Sequence, residues 1–176
     1  MAAETLTGAR AAAAVVAAKN SGTGLVHAAW GTYSIASTAW EAGDIFQVCK
    51  VPAGGLVIGG MYHLADVDTG TEAADMDLGW ADNGGASETF TGSDGTTYTN
   101  MYDGSAAVAG FVNSGVLTGD VVTDLLAAGN NLRPFPMTNG PVYFSRETTI
   151  QAQVVAAQAT GAAGVLHVVA YYVVLG

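Results

Sequence analysis

Polar and apolar positions alternate along much of this chain, and the alternation is sharpest near its end. From 147 to 159 the run reads E-T-T-I-Q-A-Q-V-V-A-A-Q-A, with Ile150, Ala152, Val154 and Ala156 at every second position. Gln151 and Gln153 fall between them, so period two predicts a strand with one buried face and one wet or partner-facing face. After T-G-A-A-G comes V-L-H-V-V-A-Y-Y-V-V-L-G, which is apolar on both faces. Leu166, Val168, Ala170, Tyr172 and Val174 form one set; Val165, Val169, Tyr171 and Val173 form the other. A strand of that kind is central to a packed sheet or covered by another subunit. The glycines between the two runs predict a reversal, and hence a long terminal β-hairpin.

Upstream, strand-like runs follow one another at 25–36, 44–51, 56–65 and 74–81. The last alternates strictly, with Asp75 and Asp77 opposite Met76, Leu78 and Trp80. Residues 82–105 read as a long polar loop. Runs at 107–116 and 120–128 are ambiguous between strand and other structure. Residues 129–141 hold Pro134, Pro136 and Pro141, which mark a surface excursion. A further strand at 142–144 leads into the terminal pair. This gives about eight short strands without βαβ alternation, and predicts an all-β, jelly-roll-like two-sheet sandwich. Residues 1–24 stand apart as an N-terminal arm, extended or a short helix, ahead of a sandwich domain at 25–176. Its Ala/Val run has no amphipathic stripe, so the arm is expected to lie on a neighbouring subunit.

Composition narrows the function. The chain has 176 residues, fit for one domain, of which 50% are hydrophobic and only 11% charged, against ~25% in an average soluble domain. So little charge predicts a surface covered by other protein, and the two apolar faces of the terminal strand predict a homo-oligomer. The net charge of −10 rests on only five Lys and Arg. No phosphate-tracking groove can be made from these, so nucleic acid is excluded as a partner, as is an anionic membrane. The charge- and glycine-free run at 11–18 is far shorter than the ~20 residues of a span, and Glu4 stands where a signal peptide wants a basic residue. The one cysteine, Cys49, makes no intrachain disulfide and reads as a small buried hydrophobe.

Candidate chemistry is sparse. Asp66, Asp68 and Glu72 are the candidate cation ligands, but Gly70 sits where an EF-hand loop needs an oxygen, and the segment reads first as a solvated turn. His27, His63 and His167 lie in separate strands, none within metal-ligand spacing of another or of Cys49, and read as strand or subunit-contact residues. The run Gly54-Gly55-Leu-Val-Ile-Gly59-Gly60 lacks the G-K-[ST] of a phosphate loop, and its glycines fit a bulge or a close backbone approach. Ser34 and Ser145 lack a nucleophile-elbow context. No enzyme and no cofactor are predicted.

The segments D-I-F-Q-V-C-K-V-P-A-G-G-L-V-I-G-G and D-V-D-T-G-T-E-A-A-D-M-D-L-G-W resemble a family of tailed-bacteriophage head proteins. So do V-L-T-G-D, P-M-T-N-G-P-V-Y-F, and E-T-T-I-Q-A-Q-V with L-H-V-V-A-Y-Y-V-V. These are capsid decoration, or cement, proteins. The resemblance runs from about Thr5 to the C-terminus and carries no catalytic motif. It implies a jelly-roll-like fold, a virion location on the outer face of the capsid, the major capsid protein as partner, a homotrimer, and stabilisation of the shell. The expected oligomer or capsid contacts are Val15, Val16, Val165, His167, Val169, Tyr171 and Val173. The competing reading is a carbohydrate- or receptor-binding β module of a phage head or tail fibre, with Trp30, Trp40 or Trp80 as a stacking platform; core packing is the plainer role for those tryptophans.

Overall fold

The alternating runs become strands because Val, Ile, Thr and aromatic residues pack well on a pleated surface, and the Gly and Pro clusters between them cannot continue it. The computed structural model describes residues 5–8, 25–36, 40–65, 67, 75–84, 89–91, 97–99, 107–112, 133–135, 137, 140–157 and 160–175, and these contain strands and no helix. In chain order the strands are β1 (Thr5–Thr7), β2 (Val26–Ile35), β3 (Ile45–Val51), β4 (Gly55–Leu64), β5 (Asp75–Trp80) and β6 (Thr89–Thr91). There follow β7 (Thr97–Thr99), β8 (Ala107–Val112), β9 (Arg133–Pro134), β10 (Val142–Phe144), β11 (Thr148–Ala156) and β12 (Gly164–Val174).

Two sheets face each other, as the alternation predicts. The first has the order β1-β3-β11-β5-β8 and the second the order β10-β4-β12-β2, with β9 added beside β4. All pairings in them are antiparallel except β1 with β3. The result is a jelly-roll-like sandwich.

The core fills the space between the sheets. Phe46, Val48, Ile150, Val154 and Leu78 come from the first; Val57, Leu166, Val168 and Ala170 come from the second. One end is closed by aromatic rings: Trp80 lies edge-on to Phe111 at 4.9 Å and to Phe144 at 5.4 Å, and Phe111 stacks on Phe135 at 4.9 Å. Such pairs add about 0.5–1.5 kcal/mol each beyond their buried area. Two glycines set how closely the layers approach. A Cβ on Gly31 of β2 would collide with the Val48 carbonyl of the opposite sheet, and one on Gly60 would collide with the Phe135 ring. Cys49 is buried against Gly31, and burial pushes its thiol up to about 12. Before β3 the chain tightens into a turn in which the Glu41 N–H donates to Asp44 Oδ2 at 2.9 Å. Burial, with the Asp44 carboxylate second, raises the Tyr33 phenol above its ordinary value.

Four expectations change. The terminal pair is not a hairpin: β11 sits in the middle of the first sheet and β12 in the middle of the second. Each already has two neighbours, β3 and β5 for one and β4 and β2 for the other, so neither has an edge left for the other. The glycine-containing link between them crosses from sheet to sheet, pinned where the Ala162 N–H donates to the Val67 carbonyl at 2.9 Å. Second, the beginning of the arm lies on its own chain: Thr5–Thr7 pair parallel with β3, and the Gly8 N–H donates to the Gln47 carbonyl at 2.7 Å. Third, the polar loop at 82–105 carries a strand pair, β6 with β7. Fourth, the proline-rich excursion returns to the second sheet, where the Phe135 N–H donates to the Gly60 carbonyl at 2.9 Å and the Phe135 ring enters the core. The run at 120–128 and the remainder of the arm, with Val15 and Val16, lie outside the described residues.

Candidate functional site

Among the described residues the inner faces of both sheets are filled by the core, which leaves the outer faces of the strands for contact. On β12 the even positions Leu166, Val168, Ala170 and Tyr172 are buried, which turns Val165, His167, Val169, Tyr171 and Val173 outward. The register then decides their neighbours. Val169 lies between Trp30 of β2 and Met61 of β4; Tyr171 lies between Ala28 and Gly59; Val173 lies between Val26 and Leu56. Ile58 of β4 also points outward. The five β12 residues expected as contacts are thus together, in one row along the middle strand of this face.

From Val169 to Val173 this face is apolar, and toward the other end it carries Thr32, Ser34, His63 and His167. Strands β2, β4 and β12 contain no Asp, Glu, Lys or Arg. Yet Val26 is 59% exposed, Trp30 50%, Ile58 41% and Tyr171 36%. Scattered exposed hydrophobes are ordinary; a contiguous row of them across neighbouring strands marks a contact surface. At ~4.8 Å per strand and ~3.3 Å per residue, three strands of this length present roughly 500 Å². A standard protein interface takes about 800 Å² per partner, so this face alone has somewhat more than half of that area.

The histidines divide between the two sides. His27 faces inward and stacks on Tyr172 at 5.5 Å. His63 and His167 face outward and are register partners across β4 and β12, with ring centroids 5.7 Å apart. Thr32 Oγ1 lies 3.0 Å from His167 Nδ1. Sequence spacing separated these histidines; only the sheet register joins them. The tryptophans also divide. Trp40 and Trp80 are core residues, while Trp30 stands on the outer face. Among the described residues no group of three or more His, Cys, Asp or Glu could hold a metal ion. Asp66, Asp68 and Glu72 lie outside the described residues. Ser34 is exposed on β2, and Ser145 lies in the bend before β11.

Neither the protein-family models nor the curated proteins give a match to this chain. Solved structures do. A chain of the cyanophage Pam1 capsid asymmetric unit matches with a TM-score of 0.61 at 20% identity, over 94% of this chain and 96% of that one. A chain of the capsid of Ralstonia phage GP4 matches with a TM-score of 0.63 at 16% identity, over 98% of this chain and 99% of that one. At these identities the likeness is one of fold, and it extends over nearly the whole length of all three chains.

Proposed function

We propose that this protein is a non-enzymatic phage virion protein that docks on the outer surface of the capsid and stabilises it, as a decoration or cement protein. The observation that carries this reading is the charge-free, apolar outer face of β2, β4 and β12, on a fold shared with chains of two phage capsids. The partner is the major capsid protein, a second copy of this chain, or both in turn around a three-fold site. Val165, His167, Val169, Tyr171 and Val173 make the contact, and the part of the arm after Gly8, with Val15 and Val16, reaches a neighbouring subunit.

The area estimate fits this role. One modest contact is enough when many copies sit on one shell, because linked contacts add avidity without any single tight interface. A ligand that binds only the assembled shell stabilises that state by linkage. The face carries no charge, so attachment depends little on salt. The test is to strip the protein from particles and heat them beside untreated ones. Earlier DNA release from the stripped particles supports the reading. Release at the same temperature, and equal survival of osmotic shock, overturns it.

Trp30 supports a second reading, a glycan-binding module of a phage head or tail fibre, because a half-exposed indole beside an apolar strand is a stacking platform for a sugar ring. Binding on a glycan array that is lost in Trp30→Ala selects that reading.

A further inference from the structure

We propose that His63 and His167 form a two-imidazole site for a divalent transition-metal ion of the zinc class, on the outer face of the second sheet. The site is a property of the single chain and does not depend on the proposed capsid role.

The geometry comes first. The two residues are direct register partners, and their ring centroids lie 5.7 Å apart at an interplanar angle of 41°. Two imidazoles on one tetrahedral zinc ion, each bonded at ~2.0–2.1 Å, have centroids roughly 5 Å apart. The rigid sheet holds both ligands in place before the ion arrives, so binding costs little ordering.

The surroundings set the chemistry. Thr32 Oγ1 lies 3.0 Å from His167 Nδ1 and fixes the ring plane; in the tautomer whose Nδ1–H donates to that hydroxyl, the lone pair stands on Nε2. This is the service that an outer partner renders to a metal-bound histidine. His63 Nδ1 is buried without a hydrogen-bond partner among the described residues, so this ring has an unsatisfied nitrogen beside a second imidazole. No Lys or Arg on β2, β4 or β12 repels a cation, and the chain's net charge of −10 attracts one. Imidazole nitrogens favour zinc, copper, nickel and cobalt over calcium or magnesium, which want oxygen. No third ligand joins the pair among the described residues. The isolated chain therefore supplies two ligands and water the others. Those water positions are exchangeable for a His or carboxylate of any protein docked on this face.

The test is a titration of tag-free protein with zinc chloride, followed by calorimetry and by NMR of the imidazole rings. The expected result is one ion per chain, with shifts at His63 and His167 and none at His27, which faces the core. His63→Gln and His167→Gln each abolish the binding. Thr32→Val weakens it about tenfold, the usual effect of removing an outer partner. Calcium chloride gives no signal. The proposal is overturned if zinc does not bind, if it binds with the His63 and His167 rings unshifted, or if it binds equally to the double variant. The NMR readout uses the unaltered chain, so it decides the matter even where a variant misfolds. Heating of stripped and untreated particles tests the capsid role separately.

Discussion

The two outer faces of this sandwich are built on the same pleat and carry opposite surfaces. The face of the first sheet shows Thr5, Thr7, Gln47, Lys50, Asp75, Asp77, Thr149 and Gln153, with Thr7 Oγ1 hydrogen-bonded to Gln47 Oε1 at 2.8 Å. The face of the second shows Val26, Trp30, Ile58, Met61, Val169, Tyr171 and Val173. Strand pairing is blind to the difference, because the ladder uses backbone groups alone. The inner faces are alike, both filled by Val, Ile, Leu and aromatic residues. The sandwich core asks nothing of the second sheet's outer row, whose apolar character is surplus to the packing between the sheets. The outer face of the first sheet is polar and half-buried, and Gln151, which shares it with Gln47, is only 3% exposed.

Four experiments break or sharpen that contrast. The largest effect is expected where both faces depend on one point. Gly31→Val drives a side chain into the Val48 backbone of the opposite sheet, where nothing flexible can yield. A loss of about 3 kcal/mol or more is expected, since overpacking without room to relax lies at the top of its usual range. Urea unfolding measures it; a variant as stable as the parent means that the sheets do not approach as described.

Next comes the contrast itself. Trp30→Glu with Val169→Glu places charge on the apolar face, where docking would strip it of water. Binding to shells is expected to fall about 100-fold, equal to ~2.7 kcal/mol, a modest share of the cost of burying an unpaired charge. Thr149→Glu with Gln153→Glu on the other face should leave binding unchanged. Co-sedimentation with particles reads both, and the reverse pattern would assign the contact to the first sheet.

The third effect is one of pH. Cys49 has its thiol raised from an ordinary 9.0 to about 12 by burial. The folded chain thus holds this proton when the unfolded chain has released it. Stability from this group is whole below about pH 9 and declines as pH rises toward 12, by about 1.4 kcal/mol per pH unit at most. Burial also raises Tyr172, which adds to the decline in stronger alkali. Denaturant midpoints for the parent and Cys49→Ala across that window should diverge, the parent falling more steeply; parallel curves would place the thiol in water.

The smallest effect belongs to the polar face. Lys50 Nζ meets Glu147 Oε1 at 2.9 Å, with both side chains partly exposed. Lys50→Met is expected to cost about 0.2–1 kcal/mol, and less in high salt. A larger, salt-independent loss would mean that this face is covered too.

The strands themselves were legible because period two is a local signal. Asp75 and Asp77 against Met76, Leu78 and Trp80 needed no tertiary information, and neither did the two apolar faces of β12. Sheet membership was not legible in the same way. Alternation states which residues share a face; it does not state which sheet owns the face, and the glycines between β11 and β12 fit a hairpin as well as a crossing. The place of Phe135 was hidden for a related reason. Prolines on both sides argue for an excursion, and only the gap at Gly60, which looked like part of a glycine run, shows where the ring returns. His63 and His167 are 104 positions apart by their numbers, beyond any motif spacing. Their meeting is a product of register, which a chain writes in its strand pairing and not in its local pattern.

The positions of β11 and β12 in the chain also bear on how the protein is made. Each follows every strand that it pairs with, so the centre of both sheets leaves the ribosome after their flanks. At about 5–20 residues per second, β2 waits on the order of ten seconds for β12. During that time the chain exposes apolar strands whose pairing edges have no mate, which is the condition under which chaperones engage nascent proteins. Once they emerge, β11 fills the centre of the first sheet and β12, next in the chain, fills the centre of the second.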